Sequence, residues 1–297
     1  MATHELRAIT YNLLTGGLDA GDDTRLRAQT EMLAHLTPDI LSLQECTGWT
    51  NRHLCQVADA LGMVPVGMAR SRVRRVPDPY NGTALLIRDS SVRLMDWWIV
   101  GEGDFHHALI RAQLRPVAAG SDPSSDFTVF ATHFDWSSGA ARLDEARMLT
   151  DYGGPFPGAP RGALLLGDLN TPDRHPDWSL VPRNLHSRYR LVSPDGHFGR
   201  ADRRAVQVLL ESGWQDPQML FGDPEAASVG YYYPNEPVLL RLDYTLVSGL
   251  VVTSYAIYDT PAARGLSDHL PVVLDVDVMA GAPAAGLTVE PEGKSRV

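Results

Sequence analysis

The chain alternates between short apolar runs and longer amphipathic segments, a pattern that predicts strands interleaved with helices. Strands are predicted at Leu6–Asn12, Asp39–Gln44, Ala84–Arg88, Val92–Ile99, Ala108–Leu114, Phe127–Thr132, Ala163–Leu166, Leu242–Val247, Val251–Tyr258 and Leu270–Val278. Helices are predicted at Thr24–Leu36, Trp49–Leu61, Ala140–Leu149 and Ala201–Glu211. Because some strands follow one another like hairpins while others alternate with helices, the pattern favours an α/β protein with mixed sheets over a purely parallel one.

Three of these segments carry a further expectation. The strand Ala163–Leu166 is apolar at every position, which predicts burial on both faces of a sheet. The helix Ala140–Leu149 mixes charges of both signs and is expected to be exposed. The helix Ala201–Glu211 is expected to stop at Gly213, since glycine commonly ends helices.

The segments before Ala280 show neither an internal repeat nor a linker-like composition, which predicts one domain over residues 1–279. Residues 280–297 are rich in Ala, Gly, Pro and Glu and predict a disordered tail. No apolar run approaches the roughly 20 residues of a membrane span, and the N-terminus lacks a basic and an apolar signal region. We therefore predict a cytoplasmic protein without a membrane span.

Charge and residue usage remove several classes of chemistry. The formal net charge is −10, so attraction to nucleic acid does not organise the whole surface. An arginine-rich segment is either a local basic patch or a solvated loop; it contains Arg70, Arg72, Arg74 and Arg75. The one lysine, Lys294, lies in the tail, which excludes a Schiff-base lysine and a phosphate-loop lysine in the folded body.

The two cysteines, Cys46 and Cys55, have no CxxC motif or Cys/His cluster around them. A zinc site is therefore not expected. We predict that both thiols are reduced and structural, because nothing in the sequence indicates export to an oxidising compartment.

Polar side chains stand where the predicted strands end. Asn12, Glu45 and His133 each end or follow a strand. Asp168 follows Ala163–Leu166 closely, with Asn170 next, and the segment Ser267-Asp268-His269 comes just before the last strand. Polar groups that emerge from apolar strands converge at one rim of a sheet, which predicts a shared site there.

The residue types at this rim suit one class of reaction. Carboxylate and amide oxygens without thiols are ligands for a hard cation such as Mg²⁺, for which Mn²⁺ could substitute. Hydrolysis of a phosphate ester needs neutralised phosphoryl oxygens, an oriented water and help for the leaving oxygen. Glutamate can hold the cation, aspartate can orient water, and asparagine and histidine can donate hydrogen bonds to the phosphate.

Six short segments together resemble the endonuclease/exonuclease/phosphatase superfamily, whose fold is DNase I-like. In chain order they are Tyr11-Asn12, Leu43-Gln44-Glu45, Thr132-His133, Gly167-Asp168-Leu169-Asn170, Arg241-Leu242-Asp243-Tyr244 and Ser267-Asp268-His269-Leu270-Pro271. Each fragment alone is weak, but all six occur in the family's order across nearly the whole predicted domain. The resemblance implies a four-layer α/β sandwich, with two mixed sheets packed face to face and helices outside.

The resemblance also implies a role for each site residue. Glu45 would be the main Mg²⁺ ligand, with Asn12 and Asp268 completing the metal's surroundings. The roles implied on the reaction side belong to five other residues. Asp168 would activate the attacking water, Asn170 and His133 would bind phosphoryl oxygens, His269 would stabilise the transition state, and Asp243 would orient an imidazole, that of His269.

One departure concerns the branch of the family. The exonuclease III-like branch, which acts on abasic sites, has a Tyr-x-Pro-Asn-Gly type of segment where this chain has Thr132-His133-Phe134. A histidine there is similar to the DNase I, sphingomyelinase and phosphatase branches. The similar-looking Tyr233-Pro234-Asn235 comes after Asp168, in the wrong order.

Other residues stay open at this stage. Asn81 belongs to a turn or contacts substrate, Arg111 pairs with a site carboxylate or faces solvent, and His106-His107 are expected to be structural. The segment 171–240 is the expected place for substrate determinants; its aromatic and basic residues include Trp178, His186, Arg188, Tyr189, Arg190, His197, Trp214 and Tyr231–Tyr233.

Three functions follow from the sequence. The first is an Mg²⁺-dependent phosphoesterase acting on a phosphodiester or phosphomonoester of a small molecule or nucleotide. The second is a nuclease acting on DNA or RNA through the same residues. The third is a catalytically silent protein that binds a phosphorylated ligand, against which the complete residue set argues. Protein partners are not predicted.

Overall fold

The computed structural model describes residues 5–71, 80–102, 104–235 and 238–279. Its strands are β1 (Glu5–Asn12), β2 (Ile40–Gln44), β3 (Val64–Arg70), β4 (Gly82–Ile87), β5 (Val92–Val100), β6 (Leu109–Pro116), β7 (Phe127–His133), β8 (Gly162–Asp168), β9 (Arg190–Val192), β10 (Phe198–Ala201), β11 (Asp243–Ser248), β12 (Val251–Ile257) and β13 (Val272–Asp277). Its α-helices are α1 (Thr24–Leu36), α2 (Asn51–Leu61), α3 (Gly139–Arg147), α4 (His186–Tyr189), α5 (Arg204–Glu211), α6 (Gln218–Phe221) and α7 (Pro261–Arg264).

Eleven of these strands form two large mixed sheets. Sheet I has the order β12-β13-β1-β2-β4-β3, and sheet II has the order β11-β8-β7-β6-β5. Each sheet has one parallel pair, β1–β2 in sheet I and β7–β8 in sheet II, among antiparallel neighbours. The predicted α/β class with two mixed sheets is therefore confirmed. Strands β9 and β10 form a separate hairpin.

Three apolar clusters define the layers. The first lies between the sheets and joins inward residues of both, such as Ile40 and Leu85 of sheet I with Val129 and Leu166 of sheet II. A second cluster packs helices α1 and α2 on the outer face of sheet I. The third packs α3 and α5 on the outer face of sheet II. The order helix, sheet, sheet, helix is the predicted four-layer sandwich. The central strand β8 is buried along its whole length, as predicted.

Several predicted boundaries and one burial class differ from the structure. Helix α5 begins at Arg204, later than predicted, because Ala201 pairs in β10. Its end at Glu211 agrees with the prediction, and Gly213 follows with a φ of 107°. The strand β3 was not predicted, nor was the β9–β10 hairpin, since none shows a clear apolar alternation. Within the described ranges, no helix is both long and apolar enough to cross a bilayer.

The prediction that the helix over 140–149 is exposed is wrong. In α3, the side chains of Arg142 and Glu145 are buried, with 1% and 3% of their surface exposed. The Arg142 guanidinium donates to the carbonyl oxygens of Asp135 and Arg188, and Glu145 accepts from the backbone N–H of His106 and Asp135. These hydrogen bonds compensate the burial of the charges, a pattern that charge alternation along a helix cannot reveal.

The predictions for the arginine-rich segment, the tail and the two cysteines can be compared with the structure only in part. Arg72, Arg74 and Arg75 of the arginine-rich segment and the tail 280–297 lie outside the described residues, and Arg70 lies over the ring of Tyr80, with 5.2 Å from Cζ to the centroid. Cys46 and Cys55 are both free, the first buried and the second exposed.

Gly167 permits the close approach of β7 and β8 beside the site. A Cβ atom at this position would lie 2.2 Å from the carbonyl oxygen of Thr132, its partner in the parallel register. We expect Gly167→Ala to lower the free energy of unfolding by about 1–3 kcal/mol, because a backbone atom has to move to relieve the overlap. Urea unfolding measures this, with Gly154→Ala as control, since a Cβ there meets nothing within 4 Å. Equal losses in both variants would contradict the prediction.

Candidate active site

The registers of the two parallel pairs bring the predicted strand-end residues to one rim. Asn12 lies opposite Gln44 in sheet I, so that Glu45 follows directly at the same edge. In sheet II, Asp168 lies opposite His133 on one side and Asp243 on the other. The sheets meet at this rim, where Nδ2 of Asn12 donates to Oδ2 of Asp168 at 3.1 Å. Residues far apart in sequence thus converge on Asp168.

The Asp168 carboxylate is held from several directions. Its Oδ1 accepts the backbone N–H of Asn170 at 2.8 Å, and Nε2 of His133 and Nε2 of His269 lie 3.4 and 3.7 Å from its Oδ2. Asn170 adopts a left-handed backbone with φ of 47°, which asparagine tolerates better than most residues. That turn directs its N–H back to the carboxylate, and its side-chain amide donates to the carbonyl oxygen of Phe134. The Asp168 side chain therefore has a fixed orientation.

His269 is paired with a second, fully buried carboxylate. Nδ1 of His269 lies 2.7 Å from Oδ2 of Asp243, and the hydroxyl of Ser228 donates to the same oxygen at 2.6 Å. Ser267, two residues before His269, is anchored too, because its hydroxyl donates to the carbonyl oxygen of Asn12. The expected partner of Asp243 is therefore present, and it leaves Nε2 of His269 directed toward Asp168.

The two histidines have opposite electrostatic surroundings. Burial disfavours the charged form of His269, but the carboxylates of Asp243 and Asp168 outweigh burial and raise its pKa well above the usual value. Burial, together with Coulombic interactions with His269 and His106, lowers the pKa of His133 to about 3. Burial also raises the pKa of Asp168, and the charge of His269 opposes that rise. His269 is therefore a cation near neutral pH, while His133 is neutral.

A stack of histidines extends from His133 along the sheet II side. The His107 and His133 rings are parallel within 2° at a centroid distance of 4.0 Å, and His106 contacts His107 edge-on at 4.4 Å. The Ser71 hydroxyl hydrogen-bonds Nδ1 of His107, and Nδ1 of His106 lies 3.2 Å from Oδ2 of Asp135. The rings of His106 and His107 thus flank a predicted site residue.

Glu45 occupies a constrained position at the end of β2. Its backbone is left-handed, with φ of 53°, and its Oε2 accepts the N–H of Thr15 at 2.8 Å. The loop that carries Thr15 packs so closely on the segment after Glu45 that a Cβ on Gly16 would lie 2.3 Å from the carbonyl oxygen of Thr47. A non-glycine residue in this conformation costs about 1–3 kcal/mol, and such outliers cluster at functional sites.

A second carboxylate lies near Glu45. Burial raises the pKa of Asp268, the charge of His269 opposes that rise, and the negative charge of Glu45 adds to it. The two ends of the Asn12 amide have different partners. Its Oδ1 accepts the N–H of Leu14 at 3.0 Å, and its Nδ2 donates to Asp168.

These residues open into a single cavity of about 1060 Å³, which we call the rim cleft. Among the predicted site residues, those that line it are Glu45, Asn81, His133, Asp168, Asn170, Asp268 and His269. From the segment 171–240, the cleft is lined by residues that include Val181, Leu185, Arg188, Tyr189, Tyr232 and Tyr233. Asn12 and Asp243 are fully buried and lie behind the lining residues.

Arg111 is the predicted site residue that the structure does not bring to the cleft. Its guanidinium carbon lies 4.4 Å from the Trp98 ring centroid and 4.8 Å from that of Tyr152. The Arg111 side chain thus stacks between two aromatic rings. It neither pairs with a site carboxylate nor simply faces solvent, the two arrangements that the sequence left open. Asn81 does line the cleft, where its Oδ1 accepts the N–H of Gly82.

The residues that sequence analysis missed are those whose position depends on strand pairing. His106 and His107 both line the rim cleft, although they carry no motif. They precede β6, which runs antiparallel to β7, so that His107 comes beside the end of β7 at His133. The pairing of β6 with β7 is the signal that could have located them, and local sequence does not contain it.

Both the sequence and the fold are similar to those of known proteins. A sequence model of the Endonuclease/Exonuclease/phosphatase family matches residues 9–269. The structure is similar to an endonuclease/exonuclease/phosphatase from Beutenbergia cavernae, with a TM-score of 0.64 and 18% identity over 95% of this chain and 73% of that chain. It is also similar to a mannosyl-6-phosphatase of Bacteroides thetaiotaomicron, with a TM-score of 0.61 and 17% identity over 91% and 99% of the two chains.

The catalytic domain of human Nocturnin, determined with a bound sulfate anion, is similar to the same degree. Its TM-score is 0.61 and its identity 17%, over 92% of this chain and 94% of that one. At such identities the structural likeness establishes the fold alone. Among curated proteins, no sequence matches this chain significantly.

Proposed function

Since this chain belongs to the endonuclease/exonuclease/phosphatase family, we propose that it is a metal-dependent phosphoesterase that hydrolyses its substrate by in-line attack of a water molecule activated by Asp168. The observation that carries the proposal is the position of the Asp168 carboxylate. It lines the rim cleft, it is fixed by Asn12 and Asn170, and two histidines, one positively charged and one neutral, face it. The mannosyl-6-phosphatase of Bacteroides thetaiotaomicron has the same fold.

We assign the proton transfer to Asp168. A buried carboxylate with a raised pKa accepts a proton from water near neutral pH more readily than an exposed one. The hydrogen bonds from Asn12 and Asn170 keep its oxygen directed into the cleft. Water held against that oxygen would be aligned for attack on a phosphorus atom bound in front of it.

The two histidines have different tasks in this proposal. His269, kept positive by Asp243, would place a charge-assisted hydrogen bond on the phosphoryl oxygens, where negative charge grows in the transition state. His133 is neutral and would donate a hydrogen bond without charge. Asn170, next to Asp168, would add an uncharged amide contact.

The acidic side of the cleft fits a divalent cation. Glu45 and Asp268 both line the cleft, and the charge of Glu45 contributes to the raised pKa of Asp268, so a shared cation would relieve their repulsion. Oxygen donors without sulfur suit Mg²⁺, with Mn²⁺ as a substitute. When bound, the metal would neutralise charge on the phosphoryl oxygens. Asn12 would act next to this site, since its amide already bridges Leu14 and Asp168.

A different group of potential ligands lies deeper. Ligand atoms of Asp168, Asp243 and His269 lie within 4.8 Å of one another. We assign this group to proton transfer, not to metal binding, because Asp243 is fully buried behind His269 and the two imidazole nitrogens of His269 already face the two carboxylates. A second cation there would meet the charged imidazole.

The proposal is tested by one assay of the purified protein. Phosphate release or strand cleavage is measured with Mg²⁺ and with EDTA, using a chromogenic phosphodiester, nucleotides, sugar phosphates, RNA and plasmid DNA. We expect metal-dependent turnover of at least one phosphate ester. Absence of turnover with every compound would refute the enzymatic function and favour a protein that only binds a phosphorylated ligand.

Glu45→Ala is expected to weaken the response to Mg²⁺ far more than it lowers stability. Removing one carboxylate from a site with few protein ligands should raise the Mg²⁺ concentration at half-maximal activity by about tenfold or more, the loss that follows when a single ligand-orienting group is removed. A titration of activity against Mg²⁺ measures this. Glu31→Ala, in the exposed face of α1, is the control. A Glu45→Ala variant that fails to fold would instead make Glu45 a structural residue.

A further inference from the structure

The rim cleft has two chemically different walls. One is the catalytic rim with Asp168 and His269, and the other is an apolar wall on the segment between β8 and β11. We propose that the substrate is a small phosphate ester carrying a large apolar group, and that this group packs on the second wall. This inference rests on the proposed phosphoesterase function. The shared chemistry is one phosphate joined to an apolar moiety, either aromatic or a hydrocarbon chain.

The apolar wall comes from two stretches of chain. Val181, Pro182 and Leu185 lead into α4, and Val238 and Leu240 come just before β11. Their side chains carry no hydrogen-bonding group, so they cannot recognise a sugar hydroxyl or a phosphate. A cavity of about 1060 Å³ is at the upper end of the size range for small-molecule sites and far larger than one phosphate requires. Most of that space would therefore be available to the part of the substrate beyond the phosphate.

The wall is fixed relative to the catalytic rim. Buried Arg142 donates to the carbonyl oxygen of Asp135, just past the end of β7, at 3.1 Å and to that of Arg188 in α4 at 2.7 Å. The Arg188 guanidinium carbon also lies 4.7 Å from the ring centroid of Trp136. These contacts tie α4 to the strand that carries His133. A preformed wall of this kind binds an apolar group without first having to order the loop.

The charges of the lining residues disfavour a nucleic acid strand. Among the described residues that line the rim cleft, Arg188 is the one arginine or lysine, whereas Glu45, Asp168 and Asp268 are acidic. Binding of a strand depends on several basic contacts to successive phosphates. Arg188 and the His269 imidazolium beside a metal suit one phosphate group, and the apolar side chains of the wall offer no partner to a second.

The test is a homologous series of substrates with the holoenzyme. Ethyl, butyl, hexyl and octyl phosphates, as monoesters and as methyl diesters, have nearly the same leaving-group chemistry, so that differences report burial of the chain. We expect kcat/KM to rise with chain length by up to about fourfold for each buried methylene group. Naphthyl phosphate, glucose phosphate and a single-stranded oligonucleotide distinguish an aromatic group, a polar group and a polyanion.

Leu185→Asn tests the wall itself. We expect the ratio of kcat/KM for octyl over ethyl phosphate to fall by about tenfold, because a polar group then faces the chain. Leu180→Asn is the matched control, since Leu180 is 54% exposed and does not line the rim cleft; its ratio should equal that of the wild type. Turnover with a flat chain-length series, or preference for the oligonucleotide, would overturn this inference and leave the proposed function intact. Absence of all turnover would overturn both.

Discussion

Asp168→Asn is expected to lower kcat by about 10³- to 10⁴-fold, at the upper end of what loss of a general base costs. The substitution keeps the shape of the side chain but removes the oxygen that accepts a proton from water. It also places an amide where Asn12, Asn170 and His269 all present donors, so the orientation of the group changes. The residual rate would come from the charge of His269 and from the metal.

Stability should not fall with activity in this variant. Asp168 is 2% exposed and burial penalises its charge, so removing that charge offsets part of the cost of the lost hydrogen bonds. Single-turnover kinetics with saturating substrate, together with thermal unfolding, separate the two effects. Asp151→Asn, on the exposed turn before β8, serves as control and should retain full activity. An Asp168→Asn enzyme with wild-type kcat would remove Asp168 from the chemistry.

The strand ends could be predicted because periodicity reports where a strand stops. Asn12, Glu45 and His133 each end or directly follow a largely apolar predicted strand, so the end of the strand marks the rim in the sequence. The structure places all three at one edge because β1 and β2, like β7 and β8, are parallel. The fold class followed from the same signal together with the resemblance of the six motifs.

What could not be predicted depends on which strand pairs with which. His107 stacks on His133 only because β6 lies beside β7. Ser228 reaches Asp243 only because its neighbour Val229 pairs with Leu240 and His269. Helix α3 shows the same limit, since the burial of Arg142 and Glu145 comes from partners far along the chain. Local patterns contain the elements, whereas long-range pairing decides what surrounds them.

The histidine pair also shows why identical residue types can have separate roles. His133 and His269 both face Asp168, yet only His269 has a carboxylate on its far nitrogen. That second contact keeps its proton on Nδ1 and a positive charge on the ring, with Nε2–H directed into the cleft. The sequence indicated both residues, but not this difference between them.

His269 and Asp243 are therefore expected to act as one unit. His269→Ala should lower kcat by about 10³-fold, because it removes a charged donor from the transition state. Asp243→Asn should lower kcat by about 10²-fold, because His269 loses both the partner that fixes its tautomer and part of its charge. The carboxylate of Asp243 is fully buried and does not line the rim cleft, so it does not contact the substrate directly.

The double variant decides whether this coupling exists. If Asp243 acts only through His269, then His269→Ala/Asp243→Asn should be no slower than His269→Ala, within about threefold, instead of showing the product of both losses. Measured kcat values for the four proteins complete the cycle. Multiplied losses would mean that Asp243 has a task of its own, such as holding a cation with Asp168, and the assignment of that buried group to proton transfer would then be wrong. The cycle thus tests the proposed division between the acidic side at Glu45 and the proton-transfer side at Asp168.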